Sequence, residues 1–191
     1  MKTNRIEAFS DGVLAIIITI MVLGLQIPRE GTFTALLPLI PVFLSYVLSF
    51  VYVGIYWNNH HHMLHVTSKV SGAILWSNLH LLFWLSLIPF STGWMGQNHF
   101  EKAPTAFYGV ILLMCALAYL ILQLAIIRHQ GSDSILKKAV GRDIKGKFSL
   151  AAYTIAVALA WIAPAISQAL YVIVAVVWLV PDKRIEGRFM A

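Results

Sequence analysis

Six stretches of this chain, each close to the length of a bilayer crossing, follow one another with little between them. A hydrocarbon core of ~30 Å takes about 20 predominantly apolar residues per helix, and the runs fall at residues 8–27, 36–57, 72–95, 105–127, 148–164 and 166–180. The bulk composition agrees, with 59% hydrophobic residues, 12% charged residues and a mean hydropathy of +0.78, far from a soluble domain. The expected fold class is therefore an all-α membrane protein: one transmembrane domain over 1–191 with six helices, no re-entrant filter loop and no room for a second domain. The first run opens with acidic residues and lacks a small-residue cleavage site, so it is expected to stay as a helix and not to act as a cleaved signal peptide.

The basic residues give an orientation. Lys2 and Arg5 precede the first run, Lys69 lies between the second and third, and Arg128, Lys137, Lys138, Arg142, Lys145 and Lys147 lie between the fourth and fifth. With Lys183, Arg184 and Arg188 after the sixth, twelve of the fourteen Lys and Arg share one side, and the opposite loops hold Arg29 and Lys102. Both termini are expected to be cytoplasmic, and an odd number of crossings would scatter these charges over both faces. The net charge of +6 is then a topology signal and an attraction to anionic headgroups, which argues against a nucleic-acid partner. No run carries Arg or Lys at every third position, against a voltage sensor, and none has Asp or Glu at mid-depth, against a proton-coupled carrier.

The last two runs are separated only by Pro164, Ser167 and Gln168, so one kinked helix competes with a helical hairpin. Between Lys147 and Asp182 the stretch exceeds the ~20 residues of one crossing, which favours a tight turn near Pro164. Cys115 sits in the fourth run among Leu113, Met114, Ala116 and Leu117, and reads as packing.

The opening of the first helix, RIEAFSDGVLAIIITIMVLGLQI, carries the densest information. At about 100° per residue, Ile16, Thr19, Ile20, Leu23 and Ile27 form one stripe, extended by Gly12, while Asp11 points well away from it. Packing against lipid or core is the favoured account of such an aliphatic stripe on these residues alone, since Ile and Leu are what any membrane helix contains. Ser10 and Asp11, in contrast, need donors within the bundle, because an ionisable side chain at a membrane-helix end marks a functional or network-forming position. The second run ends in YWNNHHHMLH and the third begins with Trp76, Ser77, Asn78 and His80, so Trp57, His60, His61 and Asn78 reach the level of Asp11 from two further helices. A polar network linking three helices is expected there. His61 and His65 share a helical face, yet no Cys and no acidic residue other than Asp11 completes a ligand set, so no metal is assigned.

These residues resemble the transmembrane protein 175 family, the endosomal and lysosomal potassium channels and their short prokaryotic relatives. The first-helix signature is RIEAFSDG followed by VLAIIITIMVL; YWNNHH is similar to the end of the second helix in prokaryotic members, and NLHLLFWLSLIPFST to their third helix. The resemblance covers the first half of the chain, and His62 departs from a pattern in which a basic residue follows the paired histidines. It implies a potassium-selective channel in a bacterial cell membrane, built as a homotetramer around the first helices, with potassium as the permeant ion and no cofactor. Carried onto this chain, Ile16 is the narrowest ring, with Thr19, Ile20 and Leu23 lining the pore beyond it. Arg5, Phe9, Ser10 and Asp11 form a structural lock with Trp57, His60, His61 and Asn78.

The physics of such a pore does not need the family. With no TVGYG-like loop, carbonyl rings cannot replace the ion's hydration shell, and an aliphatic neck would act by dewetting, passing a weakly hydrated cation more easily than a strongly hydrated one. Two other classes remain open from sequence: a secondary transporter, which would show broken helices in matching halves, and an integral-membrane enzyme using His60, His61, His65 and Asp11.

Overall fold

A computed structural model describes residues 3–67, 69–131 and 134–179, and all regular structure within them is helical. Helix α1 (Asn4–Leu23) starts four residues before the expected run. Hydropathy marks where the apolar interior begins, whereas the helix itself reaches further out, its first turn closed by the Thr3 carbonyl accepting from the Ile6 and Glu7 amides. It ends at Gly24, so Ile27 leaves the helix and with it the stripe. A 3-10 turn, η1 (Phe33–Leu39), feeds α2 (Ile40–His65). Pro41 is tolerated in the first turn of α2, where a missing N–H costs no helical bond.

The third expected run, 72–95, is two helices, α3 (Gly72–Ser86) and α4 (Ile88–Gln97). Pro89 has no N–H and its ring would strike the carbonyl one turn back, so the chain tightens, and the Leu87 amide closes on Trp84 at 3.2 Å. Helix α5 (Lys102–Gln130) is followed by the short α6 (Ile135–Val140), which the sequence reading did not foresee. Helix α7 (Ile144–Leu159) begins where Asp143 caps it, Oδ1 accepting from the Gly146 amide at 3.1 Å. A turn over Ala160–Ala163 leads into α8 (Pro164–Leu179), and Ser167 donates back to the Ala156 carbonyl at 2.7 Å, pinning the hairpin.

By length and apolarity, four described segments can cross a bilayer: Asn4–Leu23, Phe33–His65, Gly72–Gln97 and Lys102–Gln130. Helices α7 and α8 have 16 residues each, a rise of about 24 Å.

Long helix α5 is the spine, with α3, α4 and α7 packed on it and α8 closing against α7. Between apolar helices in lipid there is no hydrophobic drive to associate, so close packing and interhelical hydrogen bonds must supply it. Both are present. Gly96 of α4 lies so near α2 that a Cβ would fall 2.7 Å from the Val42 Cα. Ser49 of α2 bonds Thr92 of α4 at 2.6 Å and Tyr108 of α5 at 2.9 Å. The Tyr52 hydroxyl donates to the Tyr171 carbonyl at 2.5 Å, and Tyr171, seated over Gly109, donates to Thr105 at 3.1 Å.

These pairings also fix which ends lie together. Trp57 meets Asp11, Asn78 meets Ser10, and Gln130 donates to the Val66 carbonyl at 2.7 Å, so the start of α1, the end of α2, the start of α3 and the end of α5 share one end of the bundle. Arg5, Lys69, Arg128, Lys137, Lys138, Arg142, Lys145 and Lys147 belong to that end, while Arg29 and Lys102 belong to the other. Lys2, Asp182, Lys183, Arg184 and Arg188 lie outside the described residues.

Candidate permeation helix and its polar anchor

Helix α1 sits at the edge of the bundle against α2, α3 and α4 and divides cleanly into two faces. Ile6, Ser10, Leu14, Ile17 and Met21 are buried on the inner face. Ile16, Ile20 and Leu23 are left 58%, 50% and 82% exposed, an aliphatic strip largely uncovered by the rest of the chain. Thr19 shares the strip, but its hydroxyl donates to the Ile16 carbonyl at 2.8 Å, so it presents lone pairs outward and not a free O–H. Gly12 has nothing within reach of a Cβ, continuing the open face toward the basic end. Beside the strip, a groove of about 560 Å³ runs between α1, α2 and α4, with Ile16, Ile20, Tyr46 and Phe90 on its walls.

The expected lock resolves into three separate junctions. The first is a buried relay of neutral groups: with His60 Nε2–H donating, Asn78 Oδ1 accepts at 2.6 Å, Asn78 Nδ2 donates to Ser10 Oγ at 3.0 Å, and Ser10 donates to the Ile6 carbonyl at 2.8 Å. His60, Asn78 and Ser10 are 2%, 1% and 0% exposed, so this relay ties α2, α3 and α1 where water does not compete. The His60 Nδ1 atom is left without a partner. The second junction is Asp11, which accepts from Trp57 Nε1 at 3.0 Å on the exposed side of the helix pair. The third joins Glu7 Oε1 to His61 Nδ1 at 2.8 Å.

Of the residues expected in the lock, Ser10, Asp11, Trp57, His60, His61 and Asn78 are thus brought to one level, although Asp11 is not the hub. Arg5 is exposed and makes no hydrogen bond or ion pair among the described residues, and Phe9 is 54% exposed on the outer face. Glu7 was not singled out from sequence. Its place one turn before Asp11, on the flank that meets α2, was the available signal. Among the described residues no group of three or more His, Cys, Asp or Glu is placed to hold a metal.

A family model described as endosomal/lysosomal potassium channel TMEM175 matches residues 5–89, from the start of α1 to the break before α4. A protein from Chryseobacterium sp. (strain P1-3) named as a potassium channel is 53% identical over 186 residues, covering 97% of each chain. The chain belongs to the TMEM175 family. A second relative with the same descriptive name, from Streptomyces collinus, is 32% identical over 126 residues, 62% of this chain and 61% of its own. The TMEM175 fold extends over both halves: the crystal structure of a lysosomal potassium-selective channel TMEM175 homolog from Chamaesiphon minutus superposes with a TM-score of 0.81 at 28% identity, over 93% of this chain and 96% of that one. TMEM175 is a family of ion channels and not of enzymes, so the histidines at the end of α2 belong to a channel.

Proposed function

We propose that this chain is a potassium channel of a bacterial cell membrane, a homotetramer whose α1 helices surround a common axis. Each subunit crosses six times, with η1–α2, α3–α4, α5, α7 and α8 following α1 and both termini on the cytoplasmic, basic side. Ile16 forms the narrowest ring, Thr19, Ile20 and Leu23 line the lumen beyond it, and the junctions of Ser10, Asp11, Trp57, His60, His61 and Asn78 hold α1 at its root. The reading needs no filter loop and no cofactor, and takes potassium as the permeant ion.

The observation that carries it is the split character of α1. One face is buried in its own subunit, and the other is an exposed aliphatic strip at Ile16, Ile20 and Leu23 interrupted by the Thr19 hydroxyl. A ring of branched side chains in a narrow lumen cannot offer water its hydrogen bonds, so a cation crosses it at a cost set by its hydration, which is smaller for potassium than for sodium. The Thr19 lone pairs offer partial rehydration one turn on.

Purified protein in liposomes should pass potassium faster than sodium. Ile16→Asn should wet the neck and raise sodium permeability relative to potassium on the order of tenfold, about 1.4 kcal/mol in barrier difference. Reversal potentials in planar bilayers measure the ratio, and a ratio unchanged by Ile16→Asn removes Ile16 from the constriction.

A further inference from the structure

Between α5 and α7 the chain passes through α6, and this stretch carries six Lys or Arg against two Asp over residues 128–147. Helix α6 has six residues, far too few to cross a bilayer. It lies against the bundle by Leu136, which is buried, and by Val140 one turn on, while Ser134 before it donates to Gln130 at 2.6 Å. The segment is thus held flat on the basic end of the subunit. Outside it stand Lys137, Lys138 and, past Gly141, Arg142, all exposed and none with a side-chain hydrogen bond or ion pair among the described residues.

Apolar side chains are mixed with these cations. Ile135 of α6 is 55% exposed, and Ile144, the first residue of α7, is 70% exposed. At about 100° per residue, Ile144, Lys147 and Phe148 share one third of the α7 surface, and all three are exposed. The depth of this patch follows from Trp178 near the end of α8, whose Nε1 donates to Ser149 Oγ at 2.8 Å. An indole at a helix end marks the headgroup level of a bilayer, and Ile144 lies about 7 Å further toward the basic end than Ser149. At that depth an apolar side chain reaches hydrocarbon and a long cation reaches phosphate. Two neighbouring charges are engaged elsewhere: Lys145 has its Nζ 5.9 Å from the centre of the Trp178 ring, and the Asp143 carboxylate accepts from the Gly146 amide as the cap of its own helix.

We infer that the α6 segment is a docking surface for acidic phospholipids, with Lys137, Lys138, Arg142 and Lys147 taking headgroup phosphates while Ile135 and Ile144 enter the acyl boundary. Lys and Arg beside an anionic membrane surface are attracted one by one, and the Arg142 guanidinium can take two phosphate oxygens at once. A zwitterionic headgroup brings its own cation to its phosphate and gains less. The exposed isoleucines select lipid over free phosphate, which has no hydrocarbon to offer them. With α1 at the shared axis, as proposed above and as this surface requires, α7 faces lipid: α1 packs on α2, α3 and α4, whereas α7 packs on α5 and α8.

The test is native mass spectrometry of the purified full chain, released from mild detergent after equilibration with equal amounts of phosphatidylglycerol and phosphatidylcholine. Phosphatidylglycerol should be retained about fivefold over phosphatidylcholine. Replacing the exposed cations together, by Lys137→Gln, Lys138→Gln, Arg142→Gln and Lys147→Gln, should remove the preference, and Lys137→Gln with Lys138→Gln alone should leave an intermediate one. Arg29→Gln with Lys102→Gln, at the opposite end, should not change it, and inorganic phosphate in molar excess should not displace the lipid. Equal retention, a preference that survives the combined variant, one lost equally in the opposite-end variant, or displacement by phosphate would each overturn the docking surface. Retention is read without ion flux, so a chain that keeps the preference while passing no potassium overturns the channel reading and leaves the surface standing.

Discussion

At the scale of single residues, the anchor beneath α1 is unequal in its parts. Asn78 uses both ends of its amide, so Asn78→Ala leaves the His60 Nε2–H and the Ser10 oxygen unsatisfied in a dry site. Each buried group left unpaired costs about 1–3 kcal/mol. Asp11→Ala removes one bond to an indole that is 47% exposed, and water replaces it. Thermal unfolding in detergent, followed by tryptophan fluorescence, should therefore show a larger drop for Asn78→Ala than for Asp11→Ala; the reverse order would return Asp11 to the hub. The residues of this anchor were legible in the sequence because polar side chains are rare in such helices and stand out. Their pairing was not, since it depends on how α2 is rotated about its axis, which turns Trp57 outward to Asp11 and His60 inward to Asn78. Hydropathy offers no measure of that rotation. Glu7 was passed over for a related reason: it lies outside the apolar run, where only the continued helix gives it a partner.

At the scale of elements, the close approach of α4 to α2 rests on Gly96. Gly96→Ala places a methyl group against the Val42 backbone, which cannot swing aside as a side chain can, so the helices must part; overpacking of this kind costs about 1–3 kcal/mol. Gly54→Ala in the middle of α2 meets nothing within 4 Å and should stabilise by roughly 0.5–1 kcal/mol through helix propensity alone. Opposite shifts in melting temperature for the two variants, measured side by side, are the expected outcome, and equal shifts would show that the Gly96 contact carries no load. The apolar runs located the long helices, because length is all a bilayer asks of a segment, but not the number of helices: the third run is two of them, and α6 lies in a polar stretch between runs. The division of the third run at Leu87 and the start of α7 at Asp143 depend on where a proline ring or a cap falls within a run. The run 72–95 contains Pro89 but reads as continuous to any average over its residues.

At the scale of the whole molecule, the basic end and its opposite give a direct test of orientation. Cys115 is fully buried, so the native thiol should stay silent toward a membrane-impermeant maleimide. In intact cells Lys102→Cys should label from outside, and Lys138→Cys only after permeabilisation. The opposite pattern would invert the topology. The gathering of basic residues at one end was legible from sequence alone, because it depends only on which loops the helices join, and the labelling decides which side of the membrane that end faces. The outer face of α1 was legible as a stripe but not as an exposed one, since exposure is a property of the packed chain.

Every polar tie between α1 and its neighbours among the described residues, from Glu7, Ser10 and Asp11, falls in the first half of the helix, and Thr19 bonds only to its own backbone. Beyond Asp11 the rod is braced by hydrocarbon alone. It is clamped like a lever at its base: a tilt of about 5° at the root would carry Leu23, some 18 Å further along the axis, sideways by about 1.6 Å while leaving the clamp in register. A shift of that size is comparable to the radius of a bare alkali cation.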